Sequence, residues 1–246
     1  MQLKNLEKIH ERARAHLSEY VAGLDTELGS CLKAVSVYGS ATGPDFVPAR
    51  SNVNLVVVLE KLDEAVLTQL LDVVRWGTGK KIVPPLMLTP ADIQASLDVF
   101  PIEFLEIKDS HVVITGEDFF SSLDVGPKDL RLECESQLKA AVLRTRQAYL
   151  EIGWRKKGAE KVLATSLTSL IPVFRGMLRL RGTVPPRNKA EVIASLASAF
   201  GVEAGTFLAI LRDRAGDERI EGQEAHAVLA RYIDEITDLA GRVDDI

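Results

Sequence analysis

Cysteine is scarce. Cys31 and Cys134 are the only two, they lie far apart, and neither belongs to a CxxC. That excludes a disulfide scaffold and a cysteine zinc site, and leaves two reduced thiols. The four histidines, His10, His16, His111 and His226, form no HxxxH or HExxH spacing, so a bound zinc has no support. No GxSxG surrounds any serine, which leaves a hydrolase-type nucleophile without a context. Long apolar runs are missing too. The longest strongly apolar run is Leu55 to Leu59, far below the roughly 20 residues of a membrane span. The first residues, MQLKNLEKIHERARAHL, are charged every few positions and hold no apolar signal-peptide region, so the expected location is the cytoplasm. A basic excess is also absent. The formal net charge is −5, which argues against general binding to nucleic acid.

The 246 residues are 46% hydrophobic and 26% charged, an ordinary globular composition with enough length for one large domain or two small ones. Charge is unevenly placed. Residues 1–128 hold 12 basic and 18 acidic side chains, residues 129–189 hold 13 and 5, and residues 190–246 hold 5 and 12. The central belt contains Arg144, Arg146, Arg155, Lys156, Lys157, Lys161, Arg175, Arg179, Arg181, Arg187 and Lys189. Such a belt suits a phosphate-bearing ligand, or a solvated helical surface that the acidic flanks neutralise.

Apolar residues at Leu3, Leu6, Ile9, Ala13, Leu17, Val21 and Leu24 recur every three or four positions and predict one amphipathic helix over 3–28. Strands are predicted at Leu32 to Val37, Asn54 to Leu59, Ile82 to Leu88, Ile102 to Ile107 and His111 to Thr115, with a helix from Asp63 to about Trp76 and another opened by Thr89-Pro90. Ala41 to Arg50 reads as a loop. Gly77-Thr78-Gly79-Lys80-Lys81 lacks the spacing of a P-loop and reads as a turn. Beyond Pro127 the pattern is helical throughout, with helices expected at Ala159 to Arg181, Lys189 to Phe200, Gly205 to Arg214 and Gln223 to Val243. The reading is therefore an α/β domain over 1–126, a mixed sheet with flanking helices, followed by an all-α helical bundle over 127–246. Trp76 and Trp154 are read as packing anchors. The first helix leaves open whether it packs on its own sheet or on a second copy in a homodimer.

One constellation carries chemistry. Val37-Tyr38-Gly39-Ser40 is followed, after eleven residues, by Asn52-Val53-Asn54-Leu55-Val56-Val57-Val58. A glycine lets backbone approach phosphate oxygens, and a serine hydroxyl donates to them. Alternate positions on a strand point to one face, so polar side chains at 52 and 54 share a floor. This segment resembles the DNA polymerase β-like nucleotidyltransferase superfamily, which includes the aminoglycoside nucleotidyltransferases. Its pattern is Gly-Gly or Gly-Ser, about ten residues, then acid–hydrophobic–acid on a strand, with a third acid on an adjacent strand. The resemblance implies that fold, with Gly39, Ser40, Asn52 and Asn54 lining a nucleotide site. Asp129 to Gly153 is similar to the first helix after the catalytic domain in streptomycin-type adenylyltransferases, where a helical domain closes over the nucleotide.

Both acid positions here are amides. Replacing a carboxylate near a divalent cation removes on the order of several kcal/mol of attraction per charge even at intermediate dielectric. The third acid is sought at Glu103 or Glu106, which differ in strand parity, so that only one faces the site and Glu103 is favoured. Asp45 is the nearest spare acid in the loop. The resemblance thus implies the fold more strongly than the reaction. The expected protein holds a nucleotide or phosphorylated small molecule with no resident metal, and with no catalysis or an impaired form of it. The alternatives are a working Mg²⁺- and ATP-dependent adenylyltransferase that uses Glu103 or Glu106 as its catalytic carboxylate, and a structural or regulatory partner with no ligand.

Overall fold

A computed structural model describes residues 2–48, 51–155, 158–220 and 222–243. Ala49 and Arg50 of the expected loop, Lys156 and Lys157 of the basic belt, and the side chains of Trp154 and Arg155 lie outside the described residues. The chain divides into two compact units, Met1–Val125 and Gly126–Ile246.

Unit 1 is built on a four-stranded mixed sheet of β1 (Leu32–Tyr38), β2 (Asn54–Leu59), β3 (Leu86–Leu88) and β4 (Val112–Gly116), in the order β3-β2-β1-β4. β1 is antiparallel to both β2 and β4, and β3 runs parallel to β2. Both faces of the sheet are covered, which explains why β2 reads as a continuous apolar run and not as an alternation. On one face Val35, Val37, Leu55, Val57 and Leu59 pack with Leu17, Tyr20, Val21, Leu24 and Leu28 of α2 (Leu17–Leu28). On the other, Ala34, Val56 and Val58 pack with Ile93 of α5 (Pro90–Ala95), Phe104 and Ile107 of α6 (Pro101–Ser110), and Phe120 and Leu123.

The N-terminal stretch is not one helix. It contains a 3-10 turn at Leu6–Lys8, then α1 (Glu11–Arg14), then α2. The breaks have local causes. Asn5 is in the left-handed region, and its amide donates to the Val113 carbonyl while the Lys4 N–H donates to Ile114. The first residues are therefore drawn along the outer edge of β4, where they cover groups that an open edge would expose. The spacing of three and four identified which residues face the core, but not the continuity of the helix. Asp63 starts α3 (Glu64–Gln69) by accepting the Val66 N–H at 2.9 Å, and the expected single helix divides at Leu70 before α4 (Leu71–Thr78). Gly77 and Thr78, expected in a turn, belong to α4. Thr89 and Asp92 form the reciprocal cap of α5. The expected strand at Ile82 to Leu88 shortens to Leu86–Leu88, because Pro84 and Pro85 have no N–H for the ladder, and Ile82 retains a single bridge to Val53.

The largest correction is at Ile102 to Ile107, which is not a strand. Pro101 occupies the first turn of a ten-residue helix, α6, whose Pro101, Ile102, Phe104 and Ile107 are buried. A short apolar run of this kind fits strand and buried helix equally well by pattern, and proline at helix entry was the signal that distinguishes them.

After β4, Asp118 organises the turn. Its carboxylate accepts the Phe120 and Ser121 N–H groups at 3.0 Å and the Ser121 hydroxyl at 2.5 Å, and lies 3.0 Å from His111 Nε2. Burial alone would lift the Asp118 carboxyl, but the Ser121 hydroxyl, the two amides and His111 together hold it far below the ordinary carboxylate range. A lowered folded-state value means that this stability is present above the unfolded carboxylate value, about 3.9, and is lost as pH falls through the folded one. The side chain is 40% exposed, so the expected cost of Asp118→Asn at pH 7 is about 1 kcal/mol. Urea titrations at pH 7 and pH 3 check this: the gap between variant and parent narrows at the lower pH, and a gap that widens contradicts it.

Unit 2 consists of α7 (Pro127–Arg155), α8 (Ala159–Leu180), α9 (Lys189–Phe200), α10 (Gly205–Ala215) and α11 (Gly222–Val243). Its core includes an aromatic run in which the Phe174 and Phe207 rings are 5.5 Å apart and those of Phe207 and Tyr232 5.8 Å. Asn188 caps α9 by accepting the Ala190 and Glu191 N–H groups. Cys134 is buried and its thiol is pushed up to about 12, while Cys31 is half-buried, and both are free. Among the described residues no helix is long and apolar enough to cross a membrane.

Candidate functional site

The Gly39-Ser40 turn sits where β1 ends. Gly39–Thr42 forms one short 3-10 turn, and Gly39 has φ +77, a conformation that favours glycine. Register pairs Tyr38 directly with Asn54, so the turn and the first residue of β2 are neighbours. A Cβ on Gly39 would lie 3.2 Å from the Asn54 amide nitrogen. Gly39 and Asn54 are thus in close approach.

Asn52 is exposed and Asn54 half-buried, on either side of Val53, which is 3% exposed and belongs to the core on the α2 side of the sheet. Alternation then places both amides on the opposite face, the one that α6 covers. Their position is maintained by the base of the preceding loop. The Val47 N–H donates to Ser51 Oγ, the Ser51 N–H to the Val47 carbonyl, and the Lys81 ammonium to the Pro48 carbonyl. The Ser40 and Asn54 side chains make no hydrogen bond among the described residues.

Glu103 and Glu106 lie on α6, not on a strand. Strand parity therefore does not separate the two carboxylates, because residues three apart on a helix are neighbours on its surface. Glu103 is exposed and close to Tyr38. Burial raises the Tyr38 phenol above its ordinary value, and the Glu103 charge raises it further. Glu106 is half-buried, and its carbonyl accepts the Ser110 hydroxyl at 2.6 Å. The structure brings Gly39, Asn54, Tyr38 and the charge of Glu103 to one end of one sheet face. It places no carboxylate on either strand beside β2, since neither β1 (Leu32–Tyr38) nor β3 (Leu86–Leu88) contains an acid. Among the described residues no three His, Cys, Asp or Glu side chains gather as a metal would need.

Sequence reasoning missed Ser110 and Thr42. The Gly39 N–H donates to Ser110 Oγ at 2.9 Å. The Thr42 hydroxyl shares its proton between the Ser110 carbonyl at 2.6 Å and the Gly39 carbonyl at 2.8 Å. Reading 102–107 as a strand concealed this, because Ser110 reaches Gly39 only from the last turn of a helix.

The basic belt in unit 2 is largely committed internally. Arg175 donates to the Pro186 and Arg187 carbonyls at 3.3 and 2.8 Å and so secures the loop before α9. The Arg181 guanidinium lies 5.1 Å over the Phe200 ring. An open recess of about 640 Å³ on unit 2 is lined by Asp234, Thr237, Asp238, Gly241 and Arg242. Its cation already donates to Asp238 and to the Phe200 carbonyl.

No protein-family model matches the chain, and no curated protein matches its sequence at a significant level.

Proposed function

We propose that this protein is a catalytically silent relative of the nucleotidyltransferases that binds a nucleotide or other phosphorylated ligand at the Gly39–Asn54 end of its sheet without a resident metal. One observation supports the reading: a Gly-Ser turn set against Asn54, with no acid at 52, at 54 or on either strand beside β2. The amide oxygens of Asn52 and Asn54 are neutral and hold a divalent cation without charge attraction. A Ser40 hydroxyl and two amides are instead suited to hydrogen-bonding phosphate oxygens or the hydroxyls of a sugar.

Two measurements test it. ATP in EDTA is expected to raise the melting temperature, since ligand at 100 times its Kd stabilises by about 2.7 kcal/mol. Labelled ATP with Mg²⁺ or Mn²⁺ and candidate acceptors is expected to give no nucleotidyl transfer. Robust transfer that disappears in Glu103→Gln would overturn the reading in favour of a working adenylyltransferase. The double change Asn52→Asp with Asn54→Asp restores two negative charges to the floor, and a metal-dependent shift in melting temperature is expected only in that variant.

A further inference from the structure

We propose that Ser110 is an internal stand-in for the ligand, a latch that occupies the Gly39 amide and must move aside for an anion to bind. The proposal rests on the phosphate-binding reading above. In a Gly-Ser turn that receives phosphate, the backbone N–H of the glycine is the group that close approach makes useful. Here that N–H is already satisfied. It donates to Ser110 Oγ at 2.9 Å, and the same hydroxyl passes its own proton to the Glu106 carbonyl at 2.6 Å. Thr42 then ties the Ser110 carbonyl back to the turn. The direction is consistent, since Ser110 Oγ accepts from the Gly39 N–H and donates to the Glu106 carbonyl, while the Thr42 proton is shared between the Ser110 and Gly39 carbonyls. A hydroxyl oxygen in this place does what a phosphate oxygen would do, without a charge.

Ser110 is also well placed to give way. The motion needed is small: a turn of the Ser110 side chain at the end of α6 frees the Gly39 N–H, while the Thr42 hydroxyl on the Ser110 carbonyl holds the backbone in the latched position. Ser40 and Asn54, by contrast, keep their side chains uncommitted beside it. The turn is therefore closed at its backbone donor and open at its side chains. Ligand and Ser110 compete for one N–H, and apparent affinity is reduced by the fraction of molecules in the latched state.

The test uses the full chain, inorganic tripolyphosphate in EDTA, and the Gly39 amide resonance as a local probe. Ser110→Ala removes the hydroxyl and is expected to bind tripolyphosphate at least tenfold more tightly than the parent, with faster hydrogen exchange at Gly39 in the free protein. Ser110→Thr keeps a hydroxyl and is expected to behave as the parent. Should Ser110→Ala melt near room temperature, Thr42→Val, which removes the hydroxyl that ties the Ser110 and Gly39 carbonyls together, is expected to change affinity in the same direction. If the parent binds tripolyphosphate and Ser110→Ala binds equally or more weakly, the latch is wrong while the phosphate reading stands. If neither protein binds, the phosphate reading falls and the latch falls with it.

Discussion

Gly116→Ala is expected to destabilise unit 1 by about 3 kcal/mol or more, a large share of the 5–15 kcal/mol typical of a domain. Two costs combine. Gly116 has φ +78, where an L side chain is strained. A Cβ there would also lie 1.9 Å from the Lys33 carbonyl oxygen and 2.7 Å from the Ala34 Cα, both on the neighbouring strand. These are backbone atoms at the β1–β4 pairing, where Ala34 is opposite Gly116. No rotamer change relieves them, so the strands must separate. The Gly116 carbonyl also accepts the Lys4 ammonium at 2.7 Å, so the N-terminal cover of the β4 edge would shift as well. The two units can unfold separately, so the probe must report on unit 1. Trp76 alone serves this purpose once Trp154 is replaced by Phe. A loss below about 1 kcal/mol in urea would show that the strands do not approach so closely.

Gly77→Ala comes second, at about 2 kcal/mol. In an exposed helix the same change would stabilise by up to about 1 kcal/mol, so even the sign is diagnostic. The reason is Tyr20. A Cβ on Gly77 would meet Tyr20 Cε2 at 2.3 Å and Cδ2 at 2.7 Å. Tyr20 is 1% exposed, with its ring stacked near Trp76 at 6.4 Å, and has little room to retreat. A double-mutant cycle isolates the clash. Tyr20→Leu is expected to cost at least about 1 kcal/mol less in the Gly77→Ala background than alone, whereas Tyr20→Phe, which keeps the ring, gives no such coupling. Tyr20→Phe is informative by itself. The phenol is buried with no hydrogen-bond partner among the described residues, and burial pushes it up to about 12. Removing that oxygen leaves the packing intact and is expected to be neutral or to stabilise slightly.

These glycines show why part of the molecule could not be read from its residues. Gly77 looked like turn chemistry beside Gly79, but its function is steric and its partner is 57 residues away at Tyr20. Gly116 closes β4, a strand expected over His111 to Thr115, yet only the pairing with β1 shows what forbids a side chain there. The two strands that carry Gly39 and Asn54 were legible from their apolar runs, but their antiparallel pairing, which brings the two residues together, is set by the sheet. Ser110 was not legible, because its role depends on where a helix ends.

The residues by themselves determined the apolar strands β1 and β2, the capped start of α5 and the helical character of the C-terminal half. Each of these rests on local chemistry: β-branched runs, side-chain caps, and helical spacing of apolar residues. Tertiary structure decided that 101–110 is a helix, that Glu103 and Glu106 lie on it, and that Ser110 satisfies the Gly39 amide. The physical reason is that Ile102, Phe104 and Ile107 among charged residues fit strand and helix alike by pattern, so that, beyond the single local cue of Pro101, burial against the sheet makes the choice.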